Sequence, residues 1–278
     1  MTQRTWLITG INSGFGRHMT EQLLAAGTRV AGTVRKPGSV DDLVKQYGDQ
    51  LWVGQLDVTD TEQVRAVVDR AFADLGRIGV VVNNAGFGLF GAAEEVTDQQ
   101  ITDIINTNLI GSIQVVRAAL PHLRAQGGGR LIQLSTYGGQ AVNPGAGLYH
   151  ASKWGIEGFI ESTALDVAPF DIGVTIVEPG GARTEFRYDS LKLAEPLAAY
   201  DQSPAAVVRG VKDRRRPSPG DPAKMAARII ASADVEPAPR RLVLGSDAYR
   251  FLTTALSSRL AEVQAQAETA PATDWADD

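Results

Sequence analysis

Short runs of apolar, β-branched residues alternate along the chain with longer stretches in which apolar positions recur every three or four residues. The short runs are typical of buried strands and the longer stretches of amphipathic helices. The predicted strands are 5–9, 28–34, 51–56, 78–83, 130–135, 172–178 and 241–244. The predicted helices are 15–26, 39–47, 61–75, 98–126, 149–168, 222–232 and 246–266. This alternation predicts right-handed crossovers and an α/β fold with a parallel sheet covered on both faces.

One segment, from about 184 to 220, interrupts the alternation with four prolines around a further predicted helix. Irregular segments of this length inside a compact domain are typically functional. We therefore expect a single catalytic domain over 1–266, with a substrate flap at about 184–220. Residues 267–278 are acidic and are expected to be a disordered tail.

Composition narrows the possible functions. The 27 basic and 32 acidic residues give a net charge of −5, which lacks the footprint of a nucleic-acid-binding protein. The absence of cysteine excludes disulfides and thiolate catalysis, and the three histidines have no metal-ligand spacing, so we predict no metal. No apolar run is long enough to span a membrane, and we expect a cytoplasmic protein without a membrane partner.

A glycine-rich turn lies between the first predicted strand and helix. Such a turn lets the backbone approach a pyrophosphate, while the free N–H groups of the following helix face the phosphates. The turn therefore predicts a dinucleotide site. Its candidate residues are Gly10, Asn12, Ser13, Gly14, Phe15 and Gly16.

Tyr149 and Lys153 are four residues apart on a predicted helix, so they share one face. A free tyrosine has a pKa of ~10, and a neighbouring cation favours the phenolate and lowers that pKa. The pair can therefore act in general acid–base catalysis near neutral pH. A tyrosine and a lysine at this spacing are common in proteins. The pair indicates a catalytic site here because the same chain also has the predicted dinucleotide turn.

Six motifs, taken in order, resemble the short-chain dehydrogenase/reductase family from Thr5 to about Thr184. They are the glycine turn, Asp57, Asn83-Asn84-Ala85-Gly86, Asn108, Tyr149-x-x-x-Lys153 and Pro179-Gly180-Gly181-Ala182-Arg183-Thr184. The resemblance implies a Rossmann-type doubly wound, seven-stranded parallel sheet with helices on both faces. It also implies dinucleotide contacts at the adenine by Asp57 and Val58, at the ribose by Asn84, Ala85 and Gly86, and at the nicotinamide by Pro179, Gly180, Ala182 and Thr184.

The same resemblance implies the chemistry. Tyr149 would give a proton to a carbonyl oxygen, or take one from an alcohol, as hydride moves to or from the nicotinamide. Lys153 would lower the pKa of Tyr149 and bind the nicotinamide ribose. Asn108 would hold a water of the proton relay, and it could also satisfy an irregularity in its helix.

The family also places a serine thirteen residues before the tyrosine, and here that position is Thr136, not Ser135. Threonine keeps the hydroxyl, while its methyl narrows the site and stiffens the side chain. A regular strand would point Ser135 to the opposite face, whereas a one-residue bulge would reverse the assignment. We assign the role to Thr136.

The end of the second predicted strand indicates the cofactor. An NAD site usually has a carboxylate there, but this chain has Val34 followed by Arg35 and Lys36. A guanidinium can bind a 2′-phosphate with charge-assisted hydrogen bonds. We therefore predict NADP(H), with Arg35 and Ser13 near the phosphate; Arg35 could instead be a solvated loop residue.

The substrate is expected to be a small carbonyl or alcohol, apolar or aromatic, because most predicted pocket residues are. These are Phe87–Phe90, Tyr137, Val142, Asn143 and the flap, while Arg183 and Arg187 either receive a carboxylate or face solvent. Two alternatives stay open: an epimerase, dehydratase or lyase on the same fold, and a dinucleotide-sensing protein without catalysis. By analogy with the family we expect a homodimer or homotetramer formed by helices 98–126 and 149–168.

Overall fold

The computed structural model describes residues 4–215 and 217–275. Over these residues the strands are β1 Thr5–Thr9, β2 Val30–Val34, β3 Leu51–Gln55, β4 Ile78–Asn83, β5 Gly88–Phe90, β6 Gly129–Leu134, β7 Ile172–Pro179, β8 Leu191–Leu193 and β9 Arg241–Leu244. The α-helices are α1 Gly14–Ala25, α2 Asp41–Tyr47, α3 Thr61–Leu75, α4 Asp98–Ile105, α5 Ser112–Ala125, α6 Gly147–Asp166, α7 Pro222–Ser232 and α8 Ser246–Gln264. All the predicted strands of the sheet therefore occur, with small shifts of their bounds.

Within the described residues, seven strands form one parallel sheet in the order β3-β2-β1-β4-β6-β7-β9. The chain winds outward from β1 to β3 and then returns to the centre with β4. The carboxyl ends of β1 and β4 therefore meet at the switch point, where open α/β sheets bind ligands. This order confirms the predicted Rossmann-type doubly wound fold.

The sheet is buried on both faces, because successive side chains of a strand point to opposite sides. Leu7 and Val81 pack with α3, α5 and α6 on one face. Trp6, Ile8 and Val80 pack with α1, α2 and α7 on the other. The two cores fix the strand ends that carry the candidate site residues.

The predicted helix 98–126 is interrupted by a π-helical turn, Asn106–Gly111, between α4 and α5. Such one-turn widenings often occur at functional sites. Asn108 lies in this turn and is fully buried. The irregularity that the sequence analysis raised for Asn108 is therefore present.

The flap differs from its prediction in its local structure. Its longest helical piece is a 3₁₀ segment, Pro204–Gly210, where an ordinary helix was predicted. A small sheet that the sequence did not predict pairs β5 with β8 and attaches the flap to the segment after β4. The end of the flap is hydrogen-bonded to the residues just before its start. Gly220 N donates to Gly181 O at 2.9 Å, and Arg183 N donates to Gly220 O at 3.1 Å.

Residues 267–275 of the predicted disordered tail are exposed and contain one 3₁₀ turn, Pro271–Thr273. The last part of that tail, 276–278, lies outside the described residues. In the part of the chain that the structure describes, no helix is long and apolar enough to cross a membrane. No group of three metal-ligating side chains is found among those residues either.

Candidate active site and dinucleotide cleft

The glycine turn forms one end of a cleft of about 1500 Å³ along the carboxyl edge of the sheet. Gly10 and Gly14 have φ of +73° and +56°, a region that glycine adopts without strain. A Cβ on Gly16 would lie 2.2 Å from Gly10 O, so only glycine lets α1 pack this closely on the turn. The side chain of Ser13 does not cap α1, which leaves the first N–H groups of the helix available to an anion.

Asn84 fixes the turn from the neighbouring strand end. Its Nδ2 donates to Thr9 O at 2.9 Å and to Gly10 O at 3.0 Å. In return, Thr9 Oγ1 accepts hydrogen bonds from the backbone N–H groups of Asn84 and Ala85. The loop after β4 and the glycine turn therefore form one rigid unit at the switch point.

Asp57 and Val58 line the cleft beyond the glycine turn. Burial raises the pKa of the Asp57 carboxyl, but hydrogen bonds from Thr59 and the charge of Arg35 outweigh that effect, so the pKa is lowered overall. Arg35 is exposed and also lines the cleft. This end therefore presents an ionised carboxylate and a guanidinium side by side.

The loop after β7 also lines the cleft and is supported by β9 and α8. Gly180 N donates to Leu244 O and Gly181 N to Asp247 Oδ2, both at 2.8 Å. A Cβ on Gly14 would have Thr184 as its nearest neighbour, 4.0 Å away, so this loop faces the glycine turn across the cleft. A role for Asp247 was missed by the sequence analysis, since its partner lies 66 residues away.

Tyr149 and Lys153 lie on α6 at the floor of the cleft, as predicted. Lys153 Nζ donates to Leu134 O at 3.0 Å, and burial lowers the pKa of Lys153 to about 8, with the Glu157 carboxylate opposing. Burial raises the pKa of Tyr149, the charge of Tyr137 adds to this, and a hydrogen bond with Thr136 opposes it. The pKa of Tyr149 is therefore raised overall, because removal of the phenol from water dominates, and the effect of Lys153 on this pKa stays a prediction.

Asn108 reaches this floor from the π-helical turn. Its Nδ2 donates to Phe87 O at 2.8 Å and to Ser152 Oγ at 3.2 Å, and its Oδ1 accepts from Phe87 N at 3.0 Å. Ser152 Oγ in turn donates to Tyr149 O at 2.8 Å. A contiguous polar path thus runs from Asn108 to the helix turn that carries Tyr149, and the sequence analysis had not assigned Ser152 to it.

The structure separates the two neighbouring hydroxyls after β6. Thr136 Oγ1 donates to Pro179 O at 3.2 Å, and its hydroxyl acts to lower the pKa of the Tyr149 phenol. Ser135 Oγ instead donates to Glu157 Oε1 at 2.5 Å. Thr136 is fully extended, with φ −164° and ψ 163°, so the strand direction continues without a bulge. The geometry therefore favours Thr136 over Ser135 beside the tyrosine.

We expect Thr136→Ala to reduce kcat by about 10-fold or more, because one charge-stabilising hydrogen-bond donor at the substrate oxygen is lost. Thr136→Ser should keep most of the activity, since it retains the hydroxyl. Steady-state kinetics of these variants beside Ser135→Ala check the assignment. Intact turnover in Thr136→Ala together with its loss in Ser135→Ala would show that the alignment is off by one.

The predicted site residues come together with few exceptions. Gly16 and Asn108 support the cleft from behind, whereas the others line it. Of the predicted pocket residues, Phe87, Phe90, Tyr137 and Asn143 line the cleft, and Val142 is 69% exposed and does not.

The flap supplies one wall of the cleft, which includes Phe186 and Val208. Two arginines are candidate carboxylate receptors: Arg183 directly before the flap and Arg187 within it. The guanidinium of Arg183 donates to Ser218 O at 2.8 Å. That of Arg187 donates to Val211 O and to the Ser218 hydroxyl. Both side chains therefore hold the flap together.

His150 lies behind the tyrosine, 5% exposed, with Nδ1 unpaired among the described residues. Burial lowers the pKa of His150 from 6.5 to about 4. The folded protein thus binds this proton less tightly than the unfolded chain does. The stability contribution of neutral His150 is full above about pH 6.5 and is lost as the pH falls toward 4.

We expect the melting temperature of the wild-type protein to fall between pH 6.5 and 4 more steeply than that of His150→Phe, which has no such group to titrate. Thermal unfolding followed by circular dichroism across this range measures the difference. His18→Phe on α1, outside the cleft, is the matched control. Parallel curves for wild type and His150→Phe would contradict the prediction.

The site fits a dinucleotide on its own geometry: a glycine cradle, an uncapped helix N-terminus, and a continuous cleft from there to the buried Tyr149–Lys153 pair. The family described as short chain dehydrogenase matches residues 4–192. Oxidoreductase BOA17 of Botryotinia fuckeliana is 33% identical over 249 residues, which are 89% of this chain and 91% of that protein. The 3-ketodihydrosphingosine reductase of Bacteroides thetaiotaomicron is 35% identical over 206 residues, 74% of each chain. A solved short-chain dehydrogenase from Streptomyces avermitilis superimposes with a TM-score of 0.91 at 39% identity, covering 99% of this chain and all of that one. The chain therefore belongs to the short-chain dehydrogenase family of oxidoreductases.

Proposed function

We propose that the chain is an NADP(H)-dependent oxidoreductase that interconverts a ketone or aldehyde and the corresponding alcohol. The observation that carries the proposal is the convergence of Tyr149, Thr136 and Lys153 at the floor of a cleft whose far end is the glycine turn. A bound nicotinamide would supply or accept the hydride. The residues of this chain bind, orient and move the proton.

In the direction of reduction, Tyr149 donates its phenolic proton to the carbonyl oxygen. Its raised pKa keeps that proton in place at neutral pH. Thr136 binds the same substrate oxygen, and Lys153 supports the charge that develops on the phenolate once the proton has left. Asn108 and Ser152 position the turn of α6 that carries Tyr149, and solvent that enters the cleft returns the proton to the phenolate.

The substrate in this proposal is apolar or aromatic. Phe90 and Phe186 approach the Tyr149 ring, with ring centroids 5.7 and 6.2 Å away, and Val208 extends the apolar wall. The Bacteroides relative is named as the reductase of a keto compound, 3-ketodihydrosphingosine, and this name supports a carbonyl substrate. Binding of such a substrate does not require Arg183 or Arg187, whose guanidinium groups are hydrogen-bonded within the protein.

A screen of ketones, aldehydes and alcohols with NADPH, NADP⁺, NADH and NAD⁺ tests the proposal. We expect loss of reduced-nicotinamide absorbance in one-to-one stoichiometry with the alcohol formed. Substrate conversion without net change of the nicotinamide would favour an epimerase, dehydratase or lyase. Tight dinucleotide binding without any conversion would favour the sensing protein.

The proposal includes a homodimer or homotetramer in the cytoplasm. Trp154 on α6 supports it, because this large side chain is 39% exposed even with the Arg259 guanidinium over its ring. Light scattering at micromolar concentration measures the assembly, and a monomer would remove this part of the proposal.

A further inference from the structure

A buried carboxylate behind the catalytic residues has no role in the mechanism above. Glu157 lies one helical turn after Lys153 on α6 and is 1% exposed. Its Oε1 accepts a hydrogen bond from Ser135 Oγ at 2.5 Å, and its Oε2 accepts one from Gln140 Nε2 at 2.8 Å. A single side chain therefore holds both ends of the segment 135–140.

The segment between those two contacts forms part of the site. It contains Thr136 and Tyr137, which line the same cleft as Tyr149. A Cβ on Gly139 would lie 1.8 Å from Glu157 Oε1, so the carboxylate fills the space beneath the segment. Displacement of Glu157 would therefore release Thr136 and Tyr137 together.

The charge of Glu157 is balanced from the last strand of the sheet. Arg241 on β9 pairs with Glu157 and Glu178, each at 2.5 Å, and with Glu161 at 2.7 Å. Burial, reinforced by the Glu157 charge, raises the pKa of Glu178 to about 7, and Arg241 opposes this. Burial of a carboxylate costs solvation free energy, so a buried carboxylate needs well-placed partners. Glu157 has Ser135, Gln140 and Arg241.

We propose that Glu157 is a positioning residue, which fixes segment 135–140 and thereby the orientation of Thr136 and Tyr137 toward Tyr149. This inference rests on the proposed function. Glu157 also stabilises the ammonium of Lys153, whose pKa it holds up against burial. The other charged groups that contact Glu157 or its partner Arg241 are Glu178 on β7 and Glu161 on the same helix.

The test compares Glu157→Gln with Glu161→Gln. Glu157 and Glu161 lie on the same helix, and each substitution removes one carboxylate that pairs with Arg241. Glu161, however, is half exposed and has no hydrogen bond to segment 135–140 among the described residues. We expect Glu157→Gln to lower kcat on the order of tenfold to a hundredfold through misorientation, with an unchanged KM for the dinucleotide. The pH at which activity is lost through deprotonation of Lys153 should also move downward. Glu161→Gln should show neither effect.

A second measurement does not depend on turnover. Gln140→Ala removes one contact of Glu157 and leaves every buried charge in place. Hydrogen exchange of the Gly139, Gln140 and Ala141 amides, which bond within the segment, should accelerate in Glu157→Gln and Gln140→Ala but not in Glu161→Gln.

Unchanged exchange in Gln140→Ala, or an unchanged pH profile in an active Glu157→Gln, would overturn the inference. If Glu157→Gln fails to fold, Gln140→Ala decides through its exchange and its kcat. If the wild-type enzyme converts no substrate in the screen, the proposed function fails, and exchange alone then decides whether Glu157 holds the segment.

Discussion

Tyr149→Phe is expected to lower kcat by about 10²- to 10⁴-fold, the contribution of a well-placed acid–base group. The substitution removes one oxygen and keeps the ring, so the packing of Phe90 and Phe186 against it persists. The first residues of the dinucleotide site lie at the other end of the cleft, and the Kd for NADPH should stay within about threefold, less than 1 kcal/mol. Steady-state kinetics and fluorescence titration with NADPH measure the two quantities.

Tyr249→Phe provides the control for this substitution. Tyr249 lies on α8, is 67% exposed and does not line the cleft. Its variant should retain wild-type kcat and thermal stability. Wild-type turnover in Tyr149→Phe would remove Tyr149 from the proton-transfer step, and a parallel loss of NADPH binding would point to a structural role instead.

The pKa values of the pair also determine the protonation states from which the proposed reaction starts. Burial keeps the Tyr149 phenol protonated, which suits proton donation to a carbonyl, whereas alcohol oxidation needs the phenolate. Lys153, with a pKa of about 8, carries its charge below that pH and loses it above. In the proposed reduction, Tyr149 and Lys153 would therefore both start in the protonated state at neutral pH.

The sequence allowed the sheet, its helices and most of the cleft to be predicted because each depends on local pattern and on one topological rule. A run of five mostly apolar or β-branched residues such as Thr5–Thr9 predicts a strand without other information. Parallel connection then brings the carboxyl ends of β1, β4 and β7 to one edge. The contact between residues at those ends, such as Gly10 and Asn84, therefore follows from the strand order alone.

What the sequence did not reveal depends on contacts between distant positions. β5 and β8 have three residues each and are stable only because they pair across more than a hundred positions of chain. In the sequence, nothing distinguishes Glu157 from the other acidic residues of its helix, because its partner Arg241 lies 84 residues away. The raised pKa of Tyr149 depends on the volume of protein that encloses it, and no spacing of charged residues encodes that volume.

Arg35→Ala is expected to weaken NADPH binding by about 10- to 100-fold and NADH binding little, because a charge-assisted hydrogen bond contributes about 1.5–3 kcal/mol and only NADPH has the 2′-phosphate. Arg35 directly follows β2, whose last residue is Val34 rather than a carboxylate. Its guanidinium has no hydrogen-bond partner among residues 4–215 and 217–275, so it is available to a ligand at the rim of the cleft.

Fluorescence titration of both reduced dinucleotides against wild type, Arg35→Ala and Arg65→Ala measures the effect. Arg65→Ala makes the same change of charge on α3, outside the cleft, and therefore separates local phosphate binding from the general field of the protein. Added salt should weaken NADPH binding in wild type more than in Arg35→Ala, since the lost contact is ionic. NADH binding as tightly as NADPH in the wild type would exclude the NADP(H) preference, because the phosphate contact would then contribute nothing.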